Sequence, residues 1–181
     1  MNISKSEIEK EINERGDFLN IDYLIDLTKK ELPYDVKKFV HIRLAEVYER
    51  LKMCNKAAQV YDSLAMISLA FAEKIKYYIK ETETYIMIDE FDEADRAMKK
   101  AIREANAVEK DEVYYHIRDF YKKTAENYEK QMKINHASRV YEKLLGMRIN
   151  EQEKSQMKKK LIGFYERLGK FKEARRLQEV G

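Results

Sequence analysis

The stretch that decides the fold is Tyr165-Glu166-Arg167-Leu168-Gly169-Lys170-Phe171-Lys172-Glu173-Ala174, near the end of the 181-residue chain. Tyr165 and Leu168 are three residues apart and therefore share one face of a helix. Gly169 can adopt the left-handed conformation that ends a helix. Phe171 and Ala174 then begin the apolar face of the next helix. The stretch predicts a tight turn between two packed helices.

The same pattern recurs four times upstream. A small or apolar residue stands at the alanine position each time, at Ile21, Ala57, Ala94, Ala137 and Ala174, separated by 36, 37, 43 and 37 residues. A tyrosine precedes each of the four alanines by nine residues, at Tyr48, Tyr85, Tyr128 and Tyr165. A short side chain lets two helix backbones approach closely, and aromatic rings fill the space beside it. The recurrence therefore predicts a series of helical hairpins.

The composition favours an all-α protein. The chain has one proline and five glycines, which argues against a fold rich in strands and loops. It is 38% charged and 44% hydrophobic and rich in the helix formers Lys, Glu, Ala, Leu and Met. That apolar content is too high for a disordered chain.

The order of turn signals predicts about ten helices in a single domain, 1–181. Ser4 and Glu7 have the spacing of a capping box, so a first helix should run to about Arg15. We expect Gly16 to end this helix and Asp17 to cap the second, which should stop before Pro33. These two helices form an N-terminal pair over 1–35. The hairpins that follow are predicted at 36–72, 73–108, 109–149 and 150–181.

This aromatic, glycine, aromatic, alanine skeleton resembles the tetratricopeptide-repeat (TPR) family, whose helical-hairpin unit has about 34 residues. The likeness covers roughly residues 16–179. The turn glycine is present only as Gly16 and Gly169, and no proline separates the repeats. The family's signature tryptophan position is occupied by His41, Tyr78, Tyr121 and Lys158. The resemblance implies a right-handed α-solenoid of TPR-like antiparallel helical hairpins, and an unrelated helical bundle is the alternative.

The sequence gives no sign of a membrane segment or a disulfide. The first residues lack the apolar run of a signal peptide, and no uncharged stretch approaches the roughly 20 residues that cross a bilayer. Cys54 is the single cysteine, and a lone cysteine on an apolar helix face is usually a small buried hydrophobe. We therefore expect no membrane partner and a cytoplasmic location.

No pattern in the sequence indicates an enzyme, a cofactor or a metal site. Asp92-Glu93-Ala94-Asp95 spells the acidic motif of a helicase class, but no phosphate-binding glycine-rich loop accompanies it. The same acids lack the glycine and the spacing of a calcium-binding loop. The three histidines, His41, His116 and His136, have no second ligand at helical spacing. His41 is expected to be a buried core residue with a hydrogen-bond partner.

The resemblance implies a binding surface. In TPR solenoids the first helix of each hairpin lines a concave groove, and Glu46, Glu83 and Glu126 are equivalent positions that would form a row of carboxylates. Relatives that bind a chaperone's C-terminal carboxylate use Lys and Asn where this chain has Ile42 and Glu46, so we expect a peptide or partner helix with basic and apolar side chains instead. The predicted groove residues are Ile42, Glu46, Glu49, Arg50, Ile79, Glu83, Ile86, Met87, Lys122, Glu126, Glu129, Lys130, Lys159, Glu166 and Arg167. The alternative is a solvated face whose charges pair with one another.

A second hypothesis concerns the basic C-terminal region. Residues 146–181 carry ten Lys/Arg and five Asp/Glu, whereas residues 1–35 carry five and nine. The exposed candidates are Lys158, Lys159, Lys160, Arg167, Lys170, Lys172, Arg175 and Arg176. A net charge of +3 is too small to favour nucleic acid as the main partner, so binding to RNA or DNA is kept as the alternative function. The opposite charge of the two ends also makes a homodimer possible.

The thirteen tyrosines and seven phenylalanines could suggest stacking on single-stranded nucleic acid. Most of them stand at positions where the hairpin pattern requires a core residue. The aromatics that packing explains are Tyr48, Tyr61, Tyr85, Tyr128, Tyr141 and Tyr165. The sequence therefore favours a non-catalytic protein-interaction scaffold.

Overall fold

A computed structural model describes residues 3–179. Within them the chain is all-α, with ten helices and no strand, which confirms the predicted fold class at that level. The outer ends of the predicted domain, residues 1–2 and 180–181, lie outside the described residues. None of the described helices has the length and the apolar character needed to cross a lipid bilayer.

The helices follow one another with short connections. Their bounds are α1 Lys5–Glu14, α2 Asp17–Thr28, α3 Tyr34–Arg50, α4 Cys54–Ile67, α5 Phe71–Met87, α6 Phe91–Glu104, α7 Ala107–Lys130, α8 Ile134–Leu145, α9 Glu151–Arg167 and α10 Phe171–Glu179. The chain divides into two compact units between Val113 and Tyr114, inside α7. The two units are described separately below as unit 1 and unit 2.

The first two helices of unit 1 begin and end partly as expected. Ser4 caps α1, and Glu7 completes the capping box by accepting from the Ser4 backbone N–H at 2.7 Å. The expectations for Gly16 and Asp17 were wrong in detail. Gly16 has an ordinary negative φ and is itself the N-cap of α2, and Asp17 is the first helical residue. A carboxylate in the first turn still interacts favourably with the helix dipole.

Consecutive helices pack against each other through unit 1, from α2 on α3 to α5 on α6, and α1 also contacts α3. The largest side chains sealed from solvent include Ile8, Leu24, Leu27, Val40, Val47, Leu64 and Ile86. Burying one such side chain stabilises the fold by about 1.5–3 kcal/mol. Buried Asn20 joins the first two helices, because its side-chain N–H donates to the Ile12 carbonyl oxygen at 3.0 Å.

In unit 2, helices that follow each other in sequence also pack together: α8 packs on α9, and α9 packs on α10. Its sealed side chains include Ile117, Tyr121, Val140, Leu144 and Leu161. Tyr141 and Phe164 meet with ring centroids 5.9 Å apart and link α8 to α9.

The alanines singled out by the sequence pattern are buried in both units. Ala57, Ala94 and Ala137 have no exposed surface, and Ala174 is 3% exposed. Each lies four residues into the second helix of its pair. The burial agrees with a position that holds only a small side chain.

Four helix ends share one turn geometry. In each, a residue in the left-handed region follows the helix, at Lys52 (φ 58°), Asp89 (φ 60°), Met132 (φ 57°) and Gly169 (φ 72°). The next backbone N–H reaches back to the tyrosine carbonyl five residues earlier, which is the Schellman motif. The prediction of a left-handed Gly169 is confirmed. The other three turns use this geometry with residues other than glycine.

Candidate binding surface

Three of the predicted carboxylates in unit 1 act electrostatically on the hydroxyl of Tyr61. Tyr61 lies in α4 and donates to Glu49 Oε1 of α3 at 2.7 Å. Burial raises the pKa of Tyr61, and the negative charges of Glu49, Glu46 and Glu83 raise it further. These carboxylates come from α3 and α5. The fold therefore brings Glu46, Glu49 and Glu83 within electrostatic reach of Tyr61, and these three residues are called the acidic cluster.

Two members of this acidic cluster have a basic neighbour. The Arg43 guanidinium lies 2.7 Å from Glu46 and also forms two bonds of 2.9 Å with Glu9. Lys80 lies 3.3 Å from Glu83, whose side chain is 12% exposed. Glu49 is exposed and holds Tyr61. The cluster is thus partly neutralised, with Glu49 as its most accessible carboxylate.

The other predicted groove residues of unit 1 differ in exposure. Ile42 and Ile79 are half-buried, and Met87 is 46% exposed. Arg50 is exposed and pairs with Asp17 at 2.7 Å, so it ties α3 to α2.

The assignment of Ile86 to the groove was wrong, because this side chain is 0% exposed. Helix α5 contacts both α4 and α6. Its solvent-facing stripe is therefore narrower than helical periodicity alone suggests, and Ile86 falls inside the core. Of the apolar groove residues predicted on α5, Ile79 and Met87 remain outside the core.

In unit 2 two of the predicted residues of α7, Lys122 and Glu126, line an open cavity. Lys122 lies 2.6 Å from Glu153, and Glu129 accepts a hydrogen bond from Tyr141. Glu126 and Lys130 are exposed. On α9, Lys159, Glu166 and Arg167 are exposed as well.

The cavity beside α7 has a volume of about 170 Å³ and is bounded by α7, α8 and α9. Its lining includes Lys122 and Glu126, which the sequence predicted, together with Tyr141, Glu153, Met157 and Lys160. Tyr141 was expected only as a core residue. The sequence missed Glu153 and Met157 because their proximity depends on how α9 packs beside α7, which helical periodicity does not report.

An ionic cluster around the buried Glu81 in unit 1 was also missed. Lys100 of α6 lies 2.8 Å from Asp62 of α4 and 3.0 Å from Glu81 of α5. The Glu81 side chain is 5% exposed, and this burial raises its pKa to about 7 against the opposing effect of Lys100. No sequence signal marks Glu81, since a glutamate on a helix is ordinarily solvated.

The structure places one of the three histidines, His41, in the core. His41 is buried, and its Nδ1 is 2.8 Å from the Lys37 carbonyl oxygen, consistent with a core histidine. Burial lowers the pKa of His41. Among residues 3–179, no three His, Cys, Asp or Glu side chains form a group that could hold a metal ion. Cys54 is only half-buried at the start of α4, so its expected full burial was wrong.

Five of the predicted basic C-terminal residues are exposed, and two others contact neighbouring side chains. Lys159, Arg167, Lys172, Arg175 and Arg176 are exposed. Lys160 is paired with Glu129 at 2.9 Å, and Lys170 lies over the Tyr165 ring at 5.9 Å.

Most of the predicted core tyrosines are buried: Tyr48, Tyr61, Tyr141 and Tyr165. Tyr85 and Tyr128 are half-buried.

No protein-family model matches the chain, and no curated protein matches it either. Among the solved structures that do match is the crystal structure of BtubC (BKLC) from P. vanneervenii. The alignment covers 97% of this chain and 77% of that one, with 17% sequence identity and a TM-score of 0.39. A structural similarity this weak indicates nothing about the function of this chain.

Proposed function

We propose that the chain is a non-catalytic protein-interaction scaffold. It binds a peptide or a partner helix through the acidic surface formed by the first helix of each hairpin. The observation that carries this proposal is the acidic cluster of Glu46, Glu49 and Glu83 around Tyr61. Carboxylates held close together at a partly exposed surface attract a basic partner and steer its approach.

We further propose that the helices form a right-handed α-solenoid of TPR-like antiparallel hairpins. Packing between helices consecutive in sequence supports this, because each repeat of a solenoid contacts its neighbours. The four turns with the same left-handed residue and the same backbone bond to a tyrosine also support a repeated hairpin.

The chemistry of the surface favours a peptide that carries both basic and apolar side chains. The pairs Arg43–Glu46 and Lys80–Glu83 are partly exposed, and such pairs contribute about 1 kcal/mol or less. A basic partner can therefore replace the internal cation at small cost. Ile79 and Met87, on the same helix as Glu83, offer apolar surface beside it.

Selection from a randomised peptide library tests this function. We expect the selected peptides to be enriched in Lys or Arg with apolar neighbours. A double variant, Glu46→Gln with Glu49→Gln, should weaken the best peptide at least tenfold, because it removes two charges but keeps the hydrogen-bond acceptors. The matched control, Glu31→Gln with Glu112→Gln, removes two exposed glutamates outside the cluster. Enrichment of acidic peptides, or equal binding by both double variants, would contradict the proposal.

The alternative function is nucleic-acid binding by the basic residues of α9 and α10. The exposure of Lys159, Arg167, Lys172, Arg175 and Arg176 favours it. Such binding must weaken steeply with salt, because each phosphate contact releases counterions. Titration with single-stranded RNA and duplex DNA at about 50 mM salt decides the matter, since absence of binding there removes this alternative.

The single-domain organisation, the cytoplasmic location and the homodimer stay predictions. Light scattering at two salt concentrations tests the homodimer. If the opposite charges of the chain ends hold it together, the dimer should dissociate as salt rises, because exposed charges are screened within about 10 Å at 0.1 M.

A further inference from the structure

The cavity of unit 2 is the right size for one side chain. Its volume of about 170 Å³ is close to the roughly 150 Å³ of a cavity that holds one benzene molecule. Pockets for drug-sized ligands and cofactors are larger, at roughly 300–1,000 Å³. Whatever enters this cavity is therefore a group no larger than a long amino-acid side chain.

Both lysines at the cavity already have carboxylate partners. Lys122 lies 2.6 Å from Glu153, and this hydrogen bond lowers the pKa of Glu153. Lys160 lies 2.9 Å from Glu129 and 3.1 Å from the Tyr141 hydroxyl. The Tyr141 hydroxyl in turn donates to Glu129. The positive charges at the cavity are thus already balanced by carboxylates of the same unit.

Glu126 differs from the other carboxylates at the cavity. It is exposed, and it forms no hydrogen bond or ion pair with any other residue in the described part of the chain. The equivalent residue in unit 1, Glu46, is held by Arg43 at 2.7 Å. The residue equivalent to Arg43 in unit 2 is Lys123, which is exposed and makes no described bond to Glu126. Glu126 is therefore a carboxylate of the cavity lining that no hydrogen bond or ion pair of the described residues engages.

The cavity also has an apolar wall. Met157 lines it and is itself largely buried, and its flexible thioether can adapt to an aliphatic chain. The methylenes of a lysine or arginine side chain pack readily along such a surface while the charged end remains near water.

We propose that this cavity is the receptor for a single Lys or Arg side chain of the bound peptide, with the cation at Glu126 and the methylenes against Met157. The proposal rests on the proposed peptide-binding function and assigns one subsite within it. Glu126 provides charge complementarity, and Met157 provides contact for the stem. A guanidinium or ammonium next to an exposed carboxylate also keeps much of its hydration, so the cost of desolvation is small.

The test uses the full chain labelled with ¹³C at its methionine methyl groups and observed by NMR. The Met157 signal is identified by its loss in Met157→Leu. The probes are N-acetyl-arginine methylamide, N-acetyl-norleucine methylamide and N-acetyl-glutamate methylamide. We expect the arginine probe to shift the Met157 signal saturably, with a Kd on the order of millimolar because a single side chain makes few contacts. The glutamate probe should leave the signal unmoved, and the norleucine probe should bind several-fold more weakly than the arginine probe.

Glu126→Gln is the decisive variant, because it keeps the size of the side chain and removes its charge. It should weaken the arginine probe at least fivefold and leave the norleucine probe unchanged. Glu112→Gln is the matched control, since Glu112 is an exposed glutamate on the same helix, outside the cavity. Unchanged arginine binding in Glu126→Gln overturns the proposal, as does an equal response of Met157 to the glutamate probe.

This result is separable from the proposed function. If selected basic peptides bind but the Met157 signal does not respond to them, peptide binding stands and the cavity assignment fails. If the arginine probe shifts Met157 but the library yields no binder, the cavity recognises the cation and the scaffold function fails.

Discussion

The backbone N–H of Lys170 donates to the carbonyl oxygen of Tyr165 at 2.8 Å and closes the turn between α9 and α10. Gly169, the residue before Lys170, is left-handed and donates to Glu166 at 3.1 Å. The same two backbone hydrogen bonds close the turns that contain Lys52, Asp89 and Met132. The recurring tyrosines thus mark the position whose carbonyl terminates each helix, in addition to placing an aromatic ring in the hairpin.

Gly169→Ala should lower the free energy of unfolding by about 1 kcal/mol. Its φ of 72° is strained for any residue with a Cβ, and an added Cβ would meet nothing within 4 Å, so the cost is conformational alone. Gly163→Ala, within the same helix α9, should raise the free energy of unfolding by about 0.5–1 kcal/mol, because its added Cβ also meets nothing and alanine is the better helix former. Urea denaturation of both variants measures the two effects, and changes of the same sign would contradict the turn geometry.

Met132→Gly should stabilise the chain by less than about 1 kcal/mol. Met132 adopts φ 57° and its side chain is largely exposed, so glycine removes the left-handed strain without opening a cavity. The greater flexibility of glycine in the unfolded chain offsets part of the gain. Thermal and urea unfolding check the prediction. A loss of more than about 1 kcal/mol would show that the Met132 side chain contributes packing.

The buried Glu81 should make stability depend on pH. Its pKa is raised from 4.5 to about 7, so the folded state binds a proton more tightly than the unfolded state. The contribution of Glu81 is therefore fully present below about pH 4.5 and is lost as the pH rises through about 7. His41 has a lowered pKa and acts in the opposite direction, favouring the folded state above its ordinary pKa of 6.5.

Comparison with Glu81→Gln isolates this effect. The free energy of unfolding of the wild type minus that of Glu81→Gln should fall between about pH 4.5 and 7 and level off outside that window. Glu112→Gln, at an exposed position, should follow the wild type throughout. Parallel curves for the wild type and Glu81→Gln would show that the carboxylate ionises as in water.

Loss of the hydroxyl should change the free energy of unfolding differently at two tyrosines. Tyr61→Phe removes the bond to Glu49 and should destabilise the chain by about 1–2 kcal/mol, as expected for a hydrogen bond to a charged group. Tyr23→Phe should be neutral or stabilising, because the buried Tyr23 hydroxyl has no hydrogen-bond partner among the described residues. Urea unfolding measures both variants. Equal destabilisation by both would contradict the assigned hydroxyl contacts.

Much of the fold could be predicted because its signals are local. The spacing from Tyr165 to Ala174 predicted the left-handed turn and the burial of Tyr165 and Ala174, which depend on neighbouring residues. Leu168 and Phe171, expected on the same apolar faces, are exposed. The three other left-handed positions carry Lys52, Asp89 and Met132, so glycine content alone underestimated how regular the turns are.

The candidate site was predicted less completely. Glu46, Glu49 and Glu83 were named from their register, and the fold brings them to Tyr61. Ile86 was misplaced, because burial on α5 depends on helices packed on both of its sides. Glu81 was missed for the same reason, since its partners Asp62 and Lys100 lie on two other helices.

The sequence by itself determined the all-α class, the number of helices and the tight turns, because helix periodicity and turn chemistry act over a few residues. Only the tertiary structure decided which charged side chains are sealed, paired or left without a partner. Glu81, Glu46 and Glu126 are three glutamates on helices, yet one is buried, one is held by an arginine and one is exposed at a cavity. Glu46 pairs with Arg43 three residues away on the same helix, whereas the burial of Glu81 and the position of Glu126 at a cavity depend on how neighbouring helices pack.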